Sequence, residues 1–383
     1  MSRLAELIAQ LCPDGVEYRA LGDVAELKRG ETVTRKEVVE GQVPVIAGGR
    51  EPAYYIDRSN RQGETIVIAG SGAYAGFVSF WDEPIFVSDA FSIVVDRSVL
   101  QPRFVYHWLS GRQEAIHALK SGGGVPHVYP KDVAKLRCPV PPLEVQREIV
   151  RILDQFTTLE AELEAELEAR RTQYEHYRTH LLSYESLAAR GPVNVIELQD
   201  VGVVRMCKRI HKAETSIQGD IPFFKISTFG GTPTSFISAE LYGKYREKYP
   251  YPKKGDLLIS AAGTIGQIVR FDGADAYFQD SNIVWLEHDE SIVLNRYLYY
   301  VYLNTRWTTD GGTIKRLYNN RILQQQICVP PIETQIAIAD LLDRFDALVN
   351  DISSGLPAEI AARRAQYEHY RDRLLSFPEK KAE

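Results

Sequence analysis

Cysteine and methionine are scarce in these 383 residues, with four and two copies. Cys12, Cys138, Cys207 and Cys328 lie far apart, form no C-x-x-C pair and have no histidine cluster nearby. A zinc site is therefore not expected, and the four read as buried thiols. No apolar run approaches the eighteen residues that a membrane span needs, so no membrane partner is expected. The opening MSRLAELIAQLCPDG is interrupted by Glu6 and Gln10, which argues against a secretory signal and makes the cytoplasm the expected compartment.

Catalytic signatures are missing too. There is no H-E-x-x-H among the eight histidines and no G-x-S-x-G elbow. The double prolines read V-P-P-L and V-P-P-I, unlike the N-P-P-Y of an amino-methyltransferase. The stretch Gly70 to Gly76, GSGAYAG, follows a strand-like TIVIA, but its third glycine is one residue late for a dinucleotide fingerprint and FVSFW after it reads as strand. A tight β-turn is expected there. SGGG at Ser121 to Gly124, and Gly311-Gly312, lack the G-K-[ST] of a phosphate loop. No catalytic residue, metal site or cofactor is expected on this chain.

What is present is a duplication. ARRTQYEHYRTHLLS, Ala169 to Ser183, returns as ARRAQYEHYRDRLLS, Ala362 to Ser376, with twelve of fifteen letters kept. PPLEVQREIVRILDQF at 141 to 156 is answered by PPIETQIAIADLLDRF at 330 to 345. Ile149, Ile152, Leu153 and Phe156, like Ile338, Leu341, Leu342 and Phe345, share one helical face. The prolines suit a first turn, where no amide donor is needed. From Leu143 to Arg190 there is no glycine or proline before Gly191-Pro192, which predicts one long helix. Its middle, LEAELEAELEARR, carries Leu159, Leu163 and Leu167 on one stripe, and the second copy offers Leu348, Ile352, Leu356 and Ile360. Gly355 and Pro357 predict a break or kink there. Two stripes of matched pitch can bury each other as an antiparallel coiled coil with an approximate dyad. His176 and His369, among tyrosines on the repeated helix, read as interface residues. The glutamates read as a solvated face with i,i+4 arginine pairs.

Upstream of each helix the copies agree only in outline: LGDVAELKRG at 21 with LQDVGVVRMCKR at 198, TIVIAGSGAYAGFV at 65 with DLLISAAGTIGQIV at 256, PRFVYHWL at 102 with NRYLYYVYL at 295. Short alternating runs broken by glycine predict β-rich domains, hence an α+β chain. The net charge of −6 is unevenly spread. Residues 143 to 190 carry six Lys/Arg against ten Asp/Glu and 331 to 383 carry seven against ten, while 198 to 330 carry sixteen against thirteen. Basic clusters recur at matching places: Lys28, Arg29, Arg35 and Lys36 with Lys208, Arg209, His211 and Lys212, and Lys120, Ser121 and His127 with Lys315, Arg316 and Asn319. Each alone would pass as a solvated loop. Together they are candidate contacts to DNA phosphates and base edges.

With P-P-L-E-V-Q at 141, P-P-I-E-T-Q at 330, S-G-L-P-A-E-I at 354 and R-R-x-Q-Y-E-x-Y-R twice, the chain resembles the specificity subunits of type I restriction-modification systems over nearly its whole length. The resemblance implies a helical segment 1–20, target-recognition domains at 21–142 and 191–330, and conserved spacer helices at 143–190 and 331–383. It implies recognition of a split site in double-stranded DNA, docking of two methyltransferase subunits on the helices, and restriction/translocase subunits besides. S-adenosylmethionine, ATP and Mg would then belong to partners. Tyr174, Tyr177 and Leu181, with Tyr367, Tyr370 and Leu374, are matched candidates for docking or for helix packing within the chain. Adding or removing one LEAE unit would change the gap between half-sites. The specificity subunit of a bipartite system with a fused nuclease-methyltransferase, or a repeat scaffold that binds no DNA, would also use such a duplication.

Overall fold

A computed structural model describes residues 3–33, 38–121, 124–309 and 315–380. The chain forms two compact units, one of residues 1–165 with 358–383, the other of residues 166–357. No helix among the described residues is long and apolar enough to cross a membrane.

The first unit is built on a four-stranded antiparallel sheet, in the order Ala25–Arg29, Ala90–Val95, Glu64–Ala69, Val78–Asp82. The inner strand ETIVIA is covered on both faces and carries four β-branched residues in a row, Thr65, Ile66, Val67 and Ile68, as a doubly buried strand requires. A smaller sheet adds Tyr55–Ile56, Val43–Ile46 and Phe86–Val87, the last two parallel. The second unit repeats both. Gly202–Met206, Ile283–His288, Leu257–Ser260 and Ile268–Arg270 form its larger sheet, and Phe236–Ile237, Ile221–Phe224 and Tyr277–Phe278 its smaller one. Each unit also has a two-stranded ladder, Glu17–Ala20 with Arg137–Val140 and Asn194–Glu197 with Gln326–Val329.

GSGAYAG is a turn, as its residues predict: the Gly76 N–H reaches back to the Ala69 carbonyl at 2.8 Å, with Gly72 and Gly76 at φ +83° and +87°. A side chain at Gly76 would meet His117 at 3.0 Å, so both conformation and space require glycine.

The long helix spans Leu143–Leu181 and stops short of the expected Arg190. Ser183 ends it, its hydroxyl accepting the Ser186 N–H at 3.2 Å to start a separate short helix, Tyr184–Ala188. The second copy is broken where Gly355 and Pro357 predict it, into Ile332–Asn350 and Leu356–Leu374. A Cβ on Gly355 would lie 2.5 Å from the Ala347 carbonyl oxygen. Asp351 anchors the break by accepting from the Ser353 N–H at 2.7 Å and both Ser353 and Ser354 hydroxyls, which hold its carboxyl down to about 2. Ile352 falls in this turn and is 85% exposed, so it leaves the apolar stripe assigned to it from sequence.

In the first unit the long helix packs antiparallel to Leu356–Leu374: Phe156 stacks on Tyr370 at 5.3 Å, and Arg364 reaches Glu160 at 2.7 Å and Glu164 at 3.0 Å. In the second its far half packs antiparallel to Ile332–Asn350, with Tyr177 against Phe345 at 5.5 Å and the Tyr174 hydroxyl donating to Asp346 at 3.2 Å.

The repeated P-P-x-E-x-Q also acquires a function in folding. Gln146, fully buried, accepts the Gln101 N–H at 2.8 Å and donates to the Val99 and Pro141 carbonyls. Gln335, equally buried, accepts the Leu294 N–H at 2.9 Å and donates to the Ile292 and Pro330 carbonyls. Each glutamine thus satisfies three backbone groups where a globular domain turns into its helix. Q146L should cost roughly 1–3 kcal/mol by leaving those groups buried and unpaired, and Q335L the same, read as a lowered urea midpoint.

Candidate nucleic-acid interface

At one end of each four-stranded sheet, three segments are tied by the same backbone bonds. In the first unit the Gly70 N–H donates to the Asp89 carbonyl at 3.1 Å and the Val128 N–H to the Gly70 carbonyl at 3.0 Å. In the second, the Ala261 N–H donates to the Asn282 carbonyl at 2.8 Å and the Leu317 N–H to the Ala261 carbonyl at 2.9 Å. This ladder makes His127 and Arg316 equivalent, each one residue before the donor. It makes Tyr129 and Tyr318 equivalent too, and both cap the following short helix, Pro130–Val133 or Asn319–Leu323.

The first tip encloses a cleft of about 390 Å³ whose lining includes Arg29, Thr32, Ser88, Asp89, His127 and Tyr129. The His127 ring stacks on Tyr129 with centroids 6.0 Å apart, and its backbone pairs with Ser121 through two 2.9 Å bonds. Arg29, exposed at the end of the opening strand, has no carboxylate partner among the described residues, whereas Lys28 is paired with Glu26 at 3.1 Å. Lys120 donates to the Ala73 carbonyl at 3.3 Å beside the glycine turn. Arg35 and Lys36 lie outside the described residues.

The second tip brings Arg209 and Arg316 onto consecutive residues of one turn. Arg209 Nε donates to Asp280 at 2.8 Å. Arg316 Nη2 donates to the Ser281 hydroxyl at 2.7 Å, the Ser281 carbonyl at 3.1 Å and the Asn282 side-chain oxygen at 3.4 Å. Lys208 sits 5.2 Å over the Tyr249 ring. Exposed His211 and Lys212 open the short helical turn Lys212–Glu214, whose start is fixed by the His211 N–H donating to Glu214 at 2.7 Å. Lys315 is exposed, and Asn319, half-buried, begins its helix.

Sequence reasoning passed over Tyr129, Tyr318 and the pair Arg50 and Tyr74, both exposed, with the guanidinium 5.0 Å from the ring centre. The matched H-V-Y-P and R-L-Y-N could have revealed the first two. Arg50 has no sequence signal, since the smaller sheet carries it to the glycine turn through chain folding alone.

Of the six matched helix residues, burial claims three. Tyr174 and Leu181 are 4% exposed and Tyr367 is 9% exposed, so these three pack within the chain rather than standing free for a partner. Tyr367 bonds His107 Nδ1 at 2.8 Å, and His107 Nε2 in turn meets Asp154 at 2.8 Å, beside Arg103 at 2.9 Å. Tyr177 and Tyr370 remain 38% and 37% exposed. Leu374 lines an apolar groove of about 430 Å³ with Leu4, Ile8, Ile152 and Phe377.

Comparison with known proteins gives the duplication its family. The model of the type I restriction modification DNA specificity domain matches twice, over residues 13–169 and 191–362. A Haemophilus influenzae protein named as a type I restriction enzyme specificity subunit is 41% identical over 387 residues, 94% of this chain and 96% of the relative. The EcoR124I/EcoR124II specificity subunit of Escherichia coli is 31% identical over 304 residues, 72% of this chain and 71% of the relative. The crystal structure of a type I restriction-modification S subunit from M. genitalium shares the fold, with a TM-score of 0.58 at 19% identity, covering 94% of this chain and 96% of that one. A chain from a structural study of complex assembly and conformational transition of the type I R-M system gives 0.58 at 20% identity, covering 95% and 98%. Two matched domain copies, each ending in its share of the repeated helices, place this chain in the family of type I restriction-modification specificity subunits.

Proposed function

We propose that this specificity subunit reads a split site in double-stranded DNA, each sheet tip contacting one half. The observation that carries this is the recurrence of one backbone scaffold under different side chains: His127 with Tyr129 on Gly70 and Asp89, Arg316 with Tyr318 on Ala261 and Asn282. A shared scaffold with changed side chains suits two readers of two sequences. Lys28, Arg29, Lys120, Ser121, Lys208, Arg209, His211, Lys212, Lys315 and Asn319 complete the polar and basic surface offered to phosphates and base edges, and Arg35 and Lys36 stay candidates on their sequence alone. The domains at 21–142 and 191–330 are the readers, and the segments at 143–190 and 331–383 are the spacers.

Tyr177, Tyr370 and Leu374, the part of the repeated helices that internal packing leaves accessible, are the proposed docking points for two methyltransferase subunits, with restriction/translocase subunits joining the assembly. Aromatic side chains on a helix face make effective anchors. Methyl transfer from S-adenosylmethionine and Mg-dependent ATP hydrolysis belong to those partners. Docking without chemistry fits the want of any catalytic signature in the sequence, and the cytoplasm is where such an assembly meets DNA.

Replacing residues 198–330 with the corresponding segment of another family member tests the reading. Base-resolution methylation mapping, with the methyltransferase coexpressed, should show one half-site replaced and the other kept. An unchanged pattern would favour a scaffold that does not touch DNA.

A further inference from the structure

Among the cationic side chains at the second tip, Arg316 differs in what holds it. Arg209 is tied to the Asp280 carboxylate at 2.8 Å, so reaching a base would forfeit a charge-assisted bond. Lys208 and Lys315 are flexible point charges, suited to phosphates rather than to a base edge. Among the described residues Arg316 meets only neutral acceptors, the Ser281 hydroxyl and carbonyl and the Asn282 amide oxygen, and all three bonds use Nη2. Its guanidinium is thereby fixed in place without its charge being cancelled, and it lies 6.0 Å from the Tyr318 ring centre.

We propose that Arg316 is a base-reading residue of the second unit and that it reads a guanine through O6 and N7 in the major groove. The planar fork of arginine matches that pair of acceptors, and a guanidinium already immobilised by Ser281 and Asn282 loses less freedom on binding than a free one. The backbone ladder places His127 at the same position of the first unit, where the ring lies against Tyr129 instead. One scaffold position thus carries two different donors, and each half-site takes the base that its own side chain fits. This inference rests on the DNA-reading function proposed above.

The test uses the full chain coexpressed with its methyltransferase, and maps methylation at base resolution for the wild type, R316A and R316K, beside cells lacking the chain. Both variants should still methylate, with discrimination for G·C at one position of one half-site relaxed on the order of 10- to 100-fold and every other position unchanged. Lysine keeps the charge but not the fork, so R316K should not restore strict discrimination. An unchanged consensus in both variants overturns the inference, as does weakening that is uniform across sequences, the mark of a phosphate contact. Should R316A abolish methylation altogether, R316K decides: a relaxed position supports the inference and a wild-type consensus overturns it. A wild-type pattern identical to that of cells lacking the chain would instead overturn the DNA-reading function itself.

Discussion

Deleting Leu163 to Glu166 should give an enzyme that methylates a new target, with both half-sites intact and the gap between them shorter by one or two base pairs. Four helical residues correspond to about 6 Å, against about 3.4 Å per base-pair step, and to slightly more than one turn, so the deletion shortens the rod while nearly keeping its phase. The cost in stability is small. Arg364 loses Glu164, one of its two carboxylate partners, and the exposed pair Glu166–Arg170 disappears, each worth less than about 1 kcal/mol. The helix is unbroken from Leu143 to Leu181, and Ala165 and Glu166, where the two units meet in sequence, lie inside the deleted tract. Methylation mapping that returns the original gap would refute the helix as a ruler, whatever became of the half-sites.

Acid should open the first unit before the second. His107 is fully buried, and that burial lowers its proton affinity despite the opposing hydrogen bond it donates to Asp154. The folded histidine therefore binds a proton less readily than the unfolded one, and stability drains as the pH drops below the ordinary value of about 6.5. Asp154 acts in the same direction. Burial alone would raise its carboxyl, but the hydrogen bond from His107 and the charge of Arg103 hold it below its usual range, so its contribution is present at neutral pH and is lost as the pH falls through the folded value.

The second unit has Tyr300 at the place of His107, donating to Asp343 beside Arg296 at 3.0 Å, and a tyrosine does not titrate in acid. Hydrogen-exchange protection of Pro102–Ser110 should accordingly fall from pH 6.5 downward while Asn295–Asn304 stays protected. H107Q should flatten that acid limb. D154A, which strands buried His107 and Arg103 without their carboxylate, should cost roughly 3 kcal/mol at neutral pH. Equal loss of protection in both helices would refute the assignment to His107.

The parallel between Arg103–Asp154 and Arg296–Asp343 was within reach of the sequence, since PRF matches NRY and LDQF matches LDRF. That the aspartate of one element would meet the arginine of another was not, because the two lie some fifty residues apart. The same holds for Gln146 and Gln335. The motif was plain, while its use in tying off a loop depends on carbonyls at Val99 and Ile292 that carry no signature.

What the letters alone determined is whatever repeats locally: the long helix from its uninterrupted period, the break at Gly355 and Pro357, the turn at Gly70 to Gly76, the duplication and the family it implies. Periodicity and backbone conformation are properties of a short window, so they survive being read in one dimension. Tertiary structure alone decided which face of each helix is spent. Tyr174 and Tyr367 look no different in sequence from Tyr177 and Tyr370, yet the first two are buried and the last two more than a third exposed. It also decided that His127 and Arg316 occupy one position of a common scaffold, because that equivalence is written in backbone bonds to Gly70 and Ala261, and those bonds span more than fifty residues of chain.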